Sequence, residues 1–215
     1  MASESASVLA HQFDDLEQQT EAASLGMWAF LITEILFFGG LFAGYAVYRS
    51  SYPEAFADGS HHLDILLGTI NTAVLIGSSL TMALAVHAAQ QSQRETLVTC
   101  LLLTILLGSV FLGIKALEYA HKFAEHLVPG SAFLYEGPHA QQAQLFFSFY
   151  FSMTGMHALH MIIGVGILGV LTIRAWHGRF SSLYYTPIEI TGLYWHFVDI
   201  VWIFLFPLLY LIGRH

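Results

Sequence analysis

The chain has 215 residues, of which 56% are hydrophobic and only 10% are charged. A soluble domain carries about 25% charged residues, so this composition excludes an ordinary water-soluble domain and predicts an integral membrane protein. The formal net charge is −8, with only seven Lys and Arg residues, which argues against nucleic-acid binding. The single cysteine, Cys100, excludes an internal disulfide and a thiolate metal cluster.

The first 23 residues form an acidic, polar segment. Its acids are Glu4, Asp14, Asp15, Glu17 and Glu21, and no Lys or Arg precedes Arg49. We predict that residues 1–23 are a tail in water and that residues 24–215 form the transmembrane domain.

Five apolar stretches follow, each long enough to cross a bilayer, which takes roughly 20 helical residues. They cover residues 25–48, 65–89, 97–119, 143–173 and 188–212. The segments between them, 49–64, 90–96, 120–142 and 174–187, are polar or contain helix breakers, and we predict loops there. The predicted fold is therefore all-α, an integral membrane bundle of five transmembrane helices.

The positive charges leave the orientation of this bundle open. Arg94, Arg174 and Arg179 lie on the side of the N-terminal tail. Arg49, Lys122 and Arg214 lie on the opposite side. Because each side has three, the positive-inside rule does not distinguish the two orientations.

Glu34 is an acid at membrane depth, about ten residues or roughly 15 Å into the first predicted span. A carboxyl group there needs either a proton or a partner, and such residues are the first places to look for function. Three interpretations remain open: a hydrogen-bonded packing acid, a contact to lipid headgroups or a polar network, and a proton relay.

Further ionisable residues occur in pairs spaced three apart in the later spans. Lys115 and Glu118 share one helical face near the end of the third span, which predicts a structural ion pair. His157 and His160 share a face of the fourth span. With no third ligand apparent, they favour hydrogen bonding between helices over a metal site.

The fifth span contains an unusually polar patch, YWHFVDIVW, in which His196 and Asp199 are also three apart. We predict a buried hydrogen-bond network there, with Tyr194, Trp195 and Trp202 around it. The pattern indicates no catalytic residue and no metal ligand set anywhere in the chain.

Segments in or beside the five spans together resemble the signature segments of cytochrome c oxidase subunit III and its quinol-oxidase counterpart. They are TEILFFGGLFAGY at 33–45, NTAVLIGSS at 71–79, LEYAHKF at 117–123, TGMHALHMIIG at 154–164 and YWHFVDIVWIFLF at 194–206. The resemblance extends over about residues 24–212, and the last segment is the most specific.

This resemblance implies a five-helix, non-redox accessory subunit of a haem-copper respiratory oxidase. Haem and copper would then lie in partner subunits, with none in this chain, and phospholipid would be bound. The partners implied are subunit I by direct contact, subunit II and a small subunit IV. In the family, the acid that matches Glu34 reacts with hydrophobic carbodiimides and faces lipid. The implied roles are support of proton uptake and protection during turnover.

The resemblance also implies a location, the bacterial cytoplasmic (inner) membrane, with the N-terminus in the cytoplasm and the C-terminus in the periplasm. The main alternative is a haem b membrane anchor, whose axial ligands would come from His87, His157, His160 and His196. A transporter is a weaker alternative, because neither an inverted repeat nor a broken helix is visible in the sequence.

Overall fold

The computed structural model describes residues 9–131, 133–135, 137 and 139–211. Its helices are α1 (Leu16–Ser51), α2 (Pro53–His61), α3 (Ile65–Gln90), α4 (Arg94–Ala124), α5 (Ala140–Trp176) and α6 (Thr186–Phe206), followed by a π-helical segment, Pro207–Leu211. Five helical segments are long and apolar enough to span a membrane. The described residues contain no β-strand, so the predicted all-α fold with five spans is confirmed.

Four of the long helices form a ring. α3 packs against α4, α4 against α5, α5 against α6, and α6 returns to α3. α1 lies outside this ring and packs against α5 and α6, while short α2 packs against α5. The apolar stretch of α1 is only 11% buried, compared with 33–50% in the other spans. α1 therefore offers most of its surface to lipid or to a neighbouring protein.

Trp195 fills the centre of the ring. A Cβ atom added at Gly108 of α4 or Gly164 of α5 would lie 2.8 or 2.9 Å from its indole ring, so the absence of these side chains makes room for it. The indole Nε1 donates a hydrogen bond of 3.1 Å to the Ser78 hydroxyl of α3. One aromatic side chain of α6 thus contacts all three other helices of the ring, which close glycine packing permits.

The first helix begins nine residues before the predicted span. Asp15 caps it by accepting a hydrogen bond of 2.7 Å from the Gln18 backbone N–H. An aspartate at this position satisfies one of the free N–H groups of the first turn, so the helix extends into the polar segment. The predicted tail before residue 9 lies outside the described residues.

The interpretation of residues 49–64 as a loop was wrong, because α2 lies within it. Pro53 occupies the first turn of α2, followed by Glu54. Both are helix-start signals, since proline has the right φ and an acid complements the helix dipole. The buried ring of Phe56 packs on Tyr45 of α1 and Phe146 of α5.

The fifth span changes its helical geometry at Pro207, where α6 gives way to the π-helical segment. Proline lacks the N–H group needed to continue the α-helical hydrogen bonds. The Tyr45 hydroxyl of α1 donates a hydrogen bond of 2.9 Å to the Leu208 carbonyl in this segment. The predicted end of the span at residue 212 lies outside the described residues.

Candidate functional site

Glu34 and His160 meet between α1 and α5. The distance from Glu34 Oε2 to His160 Nε2 is 3.1 Å, and the side chains are 19% and 11% exposed. Glu34 lies at the middle of α1, and His160 lies near the middle of α5. The pair therefore joins the outer helix to the ring at mid-membrane depth.

The geometry of His160 requires a proton between the two side chains. Its Nδ1 lies 2.8 Å from the Met156 carbonyl oxygen, which only accepts hydrogen bonds, so Nδ1 carries a proton. The Nε2 contact with Glu34 then needs a second proton, held either by the imidazole or by the carboxyl group. In both forms the pair has no net charge, which suits its depth in a low-dielectric membrane.

Lys115 and Glu118 lie in a second polar cluster, within the C-terminal half of α4. Lys115 Nζ is 3.1 Å from Glu118 Oε2, and both residues are only 3% exposed. The hydroxyl groups of Tyr150 and Tyr210 donate hydrogen bonds of 2.8 and 2.5 Å to Glu118 Oε1. Lys115 in turn donates to both tyrosine oxygens, at 3.2 and 3.0 Å.

Aromatic rings surround the Lys115 ammonium group. Its nitrogen lies 5.0–5.7 Å from the ring centres of Tyr119, Tyr150, Trp202 and Tyr210. Such contacts stabilise a desolvated cation in addition to its ion pair. The cluster therefore connects α4, α5, α6 and the π-helical segment through a charge pair whose hydrogen bonds are satisfied.

His157, one turn before His160, belongs to the interior of the ring. Its Nε2 lies 3.1 Å from the Val198 carbonyl oxygen of α6 and must donate, because a carbonyl only accepts. Its ring packs edge-on against Phe111 of α4. The two histidines of the fourth span thus bond to different helices: His157 reaches α6, and His160 reaches α1.

His196 and Asp199 do not form the hydrogen-bonded pair that their spacing suggested. His196 Nδ1 lies 2.8 Å from the Ser79 hydroxyl of α3. The Ser79 hydroxyl also lies beside the Asp199 carboxyl group but not in hydrogen-bond geometry, so neither carboxylate oxygen of Asp199 has a hydrogen-bond partner. The expected network is therefore divided, because His196 bonds to Ser79 of α3 and Asp199 has no hydrogen-bond partner in the described part of the chain.

The aromatic residues around that patch likewise have partners of their own. The Tyr194 hydroxyl donates to the His160 carbonyl at 2.9 Å. The Trp202 indole donates to the Thr72 hydroxyl at 3.0 Å. The interpretation of these residues as one network was too simple, since they point to α3 and α5 separately.

The sequence analysis did not identify Ser79, Tyr150 and Tyr210 as site residues. Ser79 is the last residue of the NTAVLIGSS segment. A polar serine at membrane depth is the sequence feature that could have identified it. Tyr210 is a lone hydroxyl in the apolar stretch PLLYL. No local pattern connects either tyrosine with Glu118, because they lie on other elements.

Two of the cavities that border α1 also lie against α6. One, of about 530 Å³, lies at the tail-side ends of α1, α5 and α6, and its lining includes Arg174, Tyr184 and Thr186. The other, of about 420 Å³, is an apolar cleft between α1 and α6, bounded by Trp28, Phe204 and other large apolar side chains.

A protein-family model described as "Cytochrome c oxidase subunit III" matches residues 10–214. The chain belongs to this family. "Cytochrome c oxidase subunit 3" of Thermostichus vulcanus is 32% identical over 202 residues, covering 94% of this chain and 92% of the relative. The protein of the same name from Cyprinus carpio is 35% identical over 193 residues, covering 86% of this chain and 67% of the relative.

A quinol-oxidase relative is also similar. "Cytochrome bo(3) ubiquinol oxidase subunit 3" of Pseudomonas aeruginosa is 31% identical over 204 residues, covering 94% of this chain and 91% of the relative. Membership of the subunit III family implies that the chain is a multi-pass membrane protein and part of a multi-subunit oxidase complex.

The histidines of the haem b alternative do not converge. His87 is exposed near the end of α3, where its Nε2 lies 2.9 Å from the Gln91 side chain. His157, His160 and His196 each bond to a different helix, as described above. Together with the family assignment, this arrangement favours the oxidase subunit over the haem b anchor.

Proposed function

We propose that this chain is the non-redox subunit III of a haem-copper terminal oxidase in a bacterial cytoplasmic membrane. It packs directly on subunit I, while subunit II and a small subunit IV complete the assembly. Haem and copper belong to the partner subunits in this proposal. The observation that supports it most strongly is the family match over residues 10–214, which includes all five spans.

The proposed orientation places the acidic N-terminal segment in the cytoplasm and the C-terminus in the periplasm. It follows from the family resemblance, because the cationic residues are divided equally between the two sides. Names of relatives include both a cytochrome c and a ubiquinol oxidase, and either electron donor is compatible with a subunit that carries no redox centre.

Bound phospholipid is the second part of the proposal. The cavity of about 530 Å³ combines the Arg174 guanidinium with apolar side chains of Ile167, Val170 and Ile190. A guanidinium at the end of a span suits a phosphate group, and the apolar wall suits an acyl chain. The apolar cleft between α1 and α6 offers a second acyl-chain surface.

Support of proton uptake and protection during turnover are the third part. Glu34 and His160 share one proton where α1, the helix least covered by the rest of the chain, meets α5. We propose that this pair keeps α1 and its lipid in place beside subunit I, so that the catalytic subunit stays active over many turnovers.

Gentle purification through a tag on this chain tests the assembly. We expect haem-copper subunits I and II to co-purify, with their absorbance bands. We also expect those bands to be lost from this chain when it is stripped away alone. Haem that remains with the isolated chain would instead support the haem b anchor.

A variant of Glu34 tests the turnover role separately. Glu34→Ala should leave assembly intact and accelerate the loss of oxidase activity during turnover, because α1 loses its polar contact to α5. Glu125→Ala is the matched control, since that carboxylate is 52% exposed and outside the spans. Identical inactivation kinetics in the Glu34 variant and the parent enzyme would remove this role.

A further inference from the structure

A cavity of about 270 Å³ lies between α3 and α6 at membrane depth. Thr72 and Ser79 line it from α3, and His196, Asp199 and Trp202 line it from α6. Half-exposed isoleucines, Ile76, Ile200 and Ile203, form its outer rim. It is separate from the Glu34–His160 pair, and it shares Trp202 with the Lys115 cluster.

Asp199 differs from Glu34 and Glu118, the other acids at membrane depth, in its hydrogen-bond partners. Glu34 has His160, and Glu118 has Lys115 and two tyrosines. Asp199 is only 4% exposed, yet both of its carboxylate oxygens lack a hydrogen-bond partner within the described part of the chain. A buried carboxyl group without hydrogen bonds is strongly unfavourable, so a ligand that supplies them is expected at this position.

His196 offers a second point of attachment. Its Nδ1 is engaged by Ser79, and its Nε2 has no hydrogen bond to any residue in the described part of the chain. His196 is half-buried and lines the same cavity as Asp199. An imidazole nitrogen and a carboxyl group beside one cavity suit a small ligand that both donates and accepts hydrogen bonds.

The polar end of the cavity suits water as that ligand. A water molecule occupies about 30 Å³ of liquid, and an internal water typically needs two to four polar partners. Leucine and isoleucine side chains cover much of the wall, which limits water to the polar end near Asp199 and His196. A cavity of this kind without polar groups would stay dry.

We propose that this cavity is an internal hydration site in which water links the Asp199 carboxyl group to the free nitrogen of His196. It would be a second carboxyl–imidazole unit, mediated by water and located on the side of α6 that faces α3. The inference does not rest on the proposed oxidase function, because it uses only side chains of this chain.

Radiolytic footprinting of the intact complex tests the site, since hydroxyl radicals formed from internal water oxidise the side chains beside it. Trp202 and Trp195 are a matched pair: both are fully buried on α6, but only Trp202 lines the cavity. We expect oxidation of Trp202 and none of Trp195, with ¹⁸O incorporated when the sample is prepared in H₂¹⁸O. Absence of label at Trp202, or equal labelling of the two residues, would overturn the proposal.

Two variants sharpen the test. Asp199→Asn retains hydrogen-bonding groups and should keep the Trp202 label, whereas Asp199→Leu should reduce it to the level of Trp195. Undiminished labelling in assembled Asp199→Leu would overturn the assignment of Asp199 as the anchor. If that variant does not assemble, the comparison of Trp202 with Trp195 in the native chain still decides whether the cavity is hydrated.

Discussion

Removing Lys115 should destabilise the chain far more than removing a lysine whose partner is exposed. Lys115→Met preserves most of the side-chain length but leaves the buried Glu118 carboxylate without its cation. Breaking a buried ion pair in this way costs about 3–5 kcal/mol. Tyr150 and Tyr210 still donate to Glu118, so we expect the lower half of that range.

Lys122→Met on the same helix is the matched control. Lys122 pairs with Glu125 at 2.5 Å, but the Glu125 side chain is 52% exposed and returns to solvent when its partner is lost. Partly exposed pairs contribute about 0–1 kcal/mol. Equilibrium unfolding in mixed detergent micelles, titrated with a denaturing detergent, would compare the two variants by their free energies of unfolding.

A double variant, Lys115→Met with Glu118→Gln, separates the charge effect from packing. Because it removes both charges, it should recover most of the stability lost in Lys115→Met. The reasoning about an uncompensated buried charge is refuted if Lys115→Met is no less stable than Lys122→Met. It is also refuted if the double variant is as unstable as the single one.

Two further predictions concern packing and the π-helical segment. Gly108→Ala should destabilise the chain by about 1–3 kcal/mol, because the new methyl group meets the Trp195 ring at 2.8 Å; Gly113→Ala, with open space around it, should be neutral or slightly stabilising in the same unfolding assay. Tyr45→Phe should cost about 1 kcal/mol by leaving the partly buried Leu208 carbonyl of the segment without its donor. The exposed Tyr48→Phe should change the free energy of unfolding by less than about 0.5 kcal/mol, and equal effects in the two tyrosine variants would contradict this account.

The sequence alone determined that this protein lies in a lipid bilayer and how many helices span it. A stretch of about 20 apolar residues has few stable alternatives to a helix in a bilayer, because lipid offers no partners for backbone groups. Local spacing also determined which polar residues share a helical face. Lys115 and Glu118 are therefore adjacent both in the sequence pattern and in the structure.

Only the tertiary structure decided which buried groups meet across helices. Glu34 contacts His160, and His196 contacts Ser79 although Asp199 shares its own helical face. Such contacts depend on the rotation, depth and neighbours of each helix. Packing sets these quantities, for example through the fit of Trp195 between Gly108 and Gly164. A periodic pattern specifies the face of one helix, whereas a hydrogen bond needs the matched depth and direction of two.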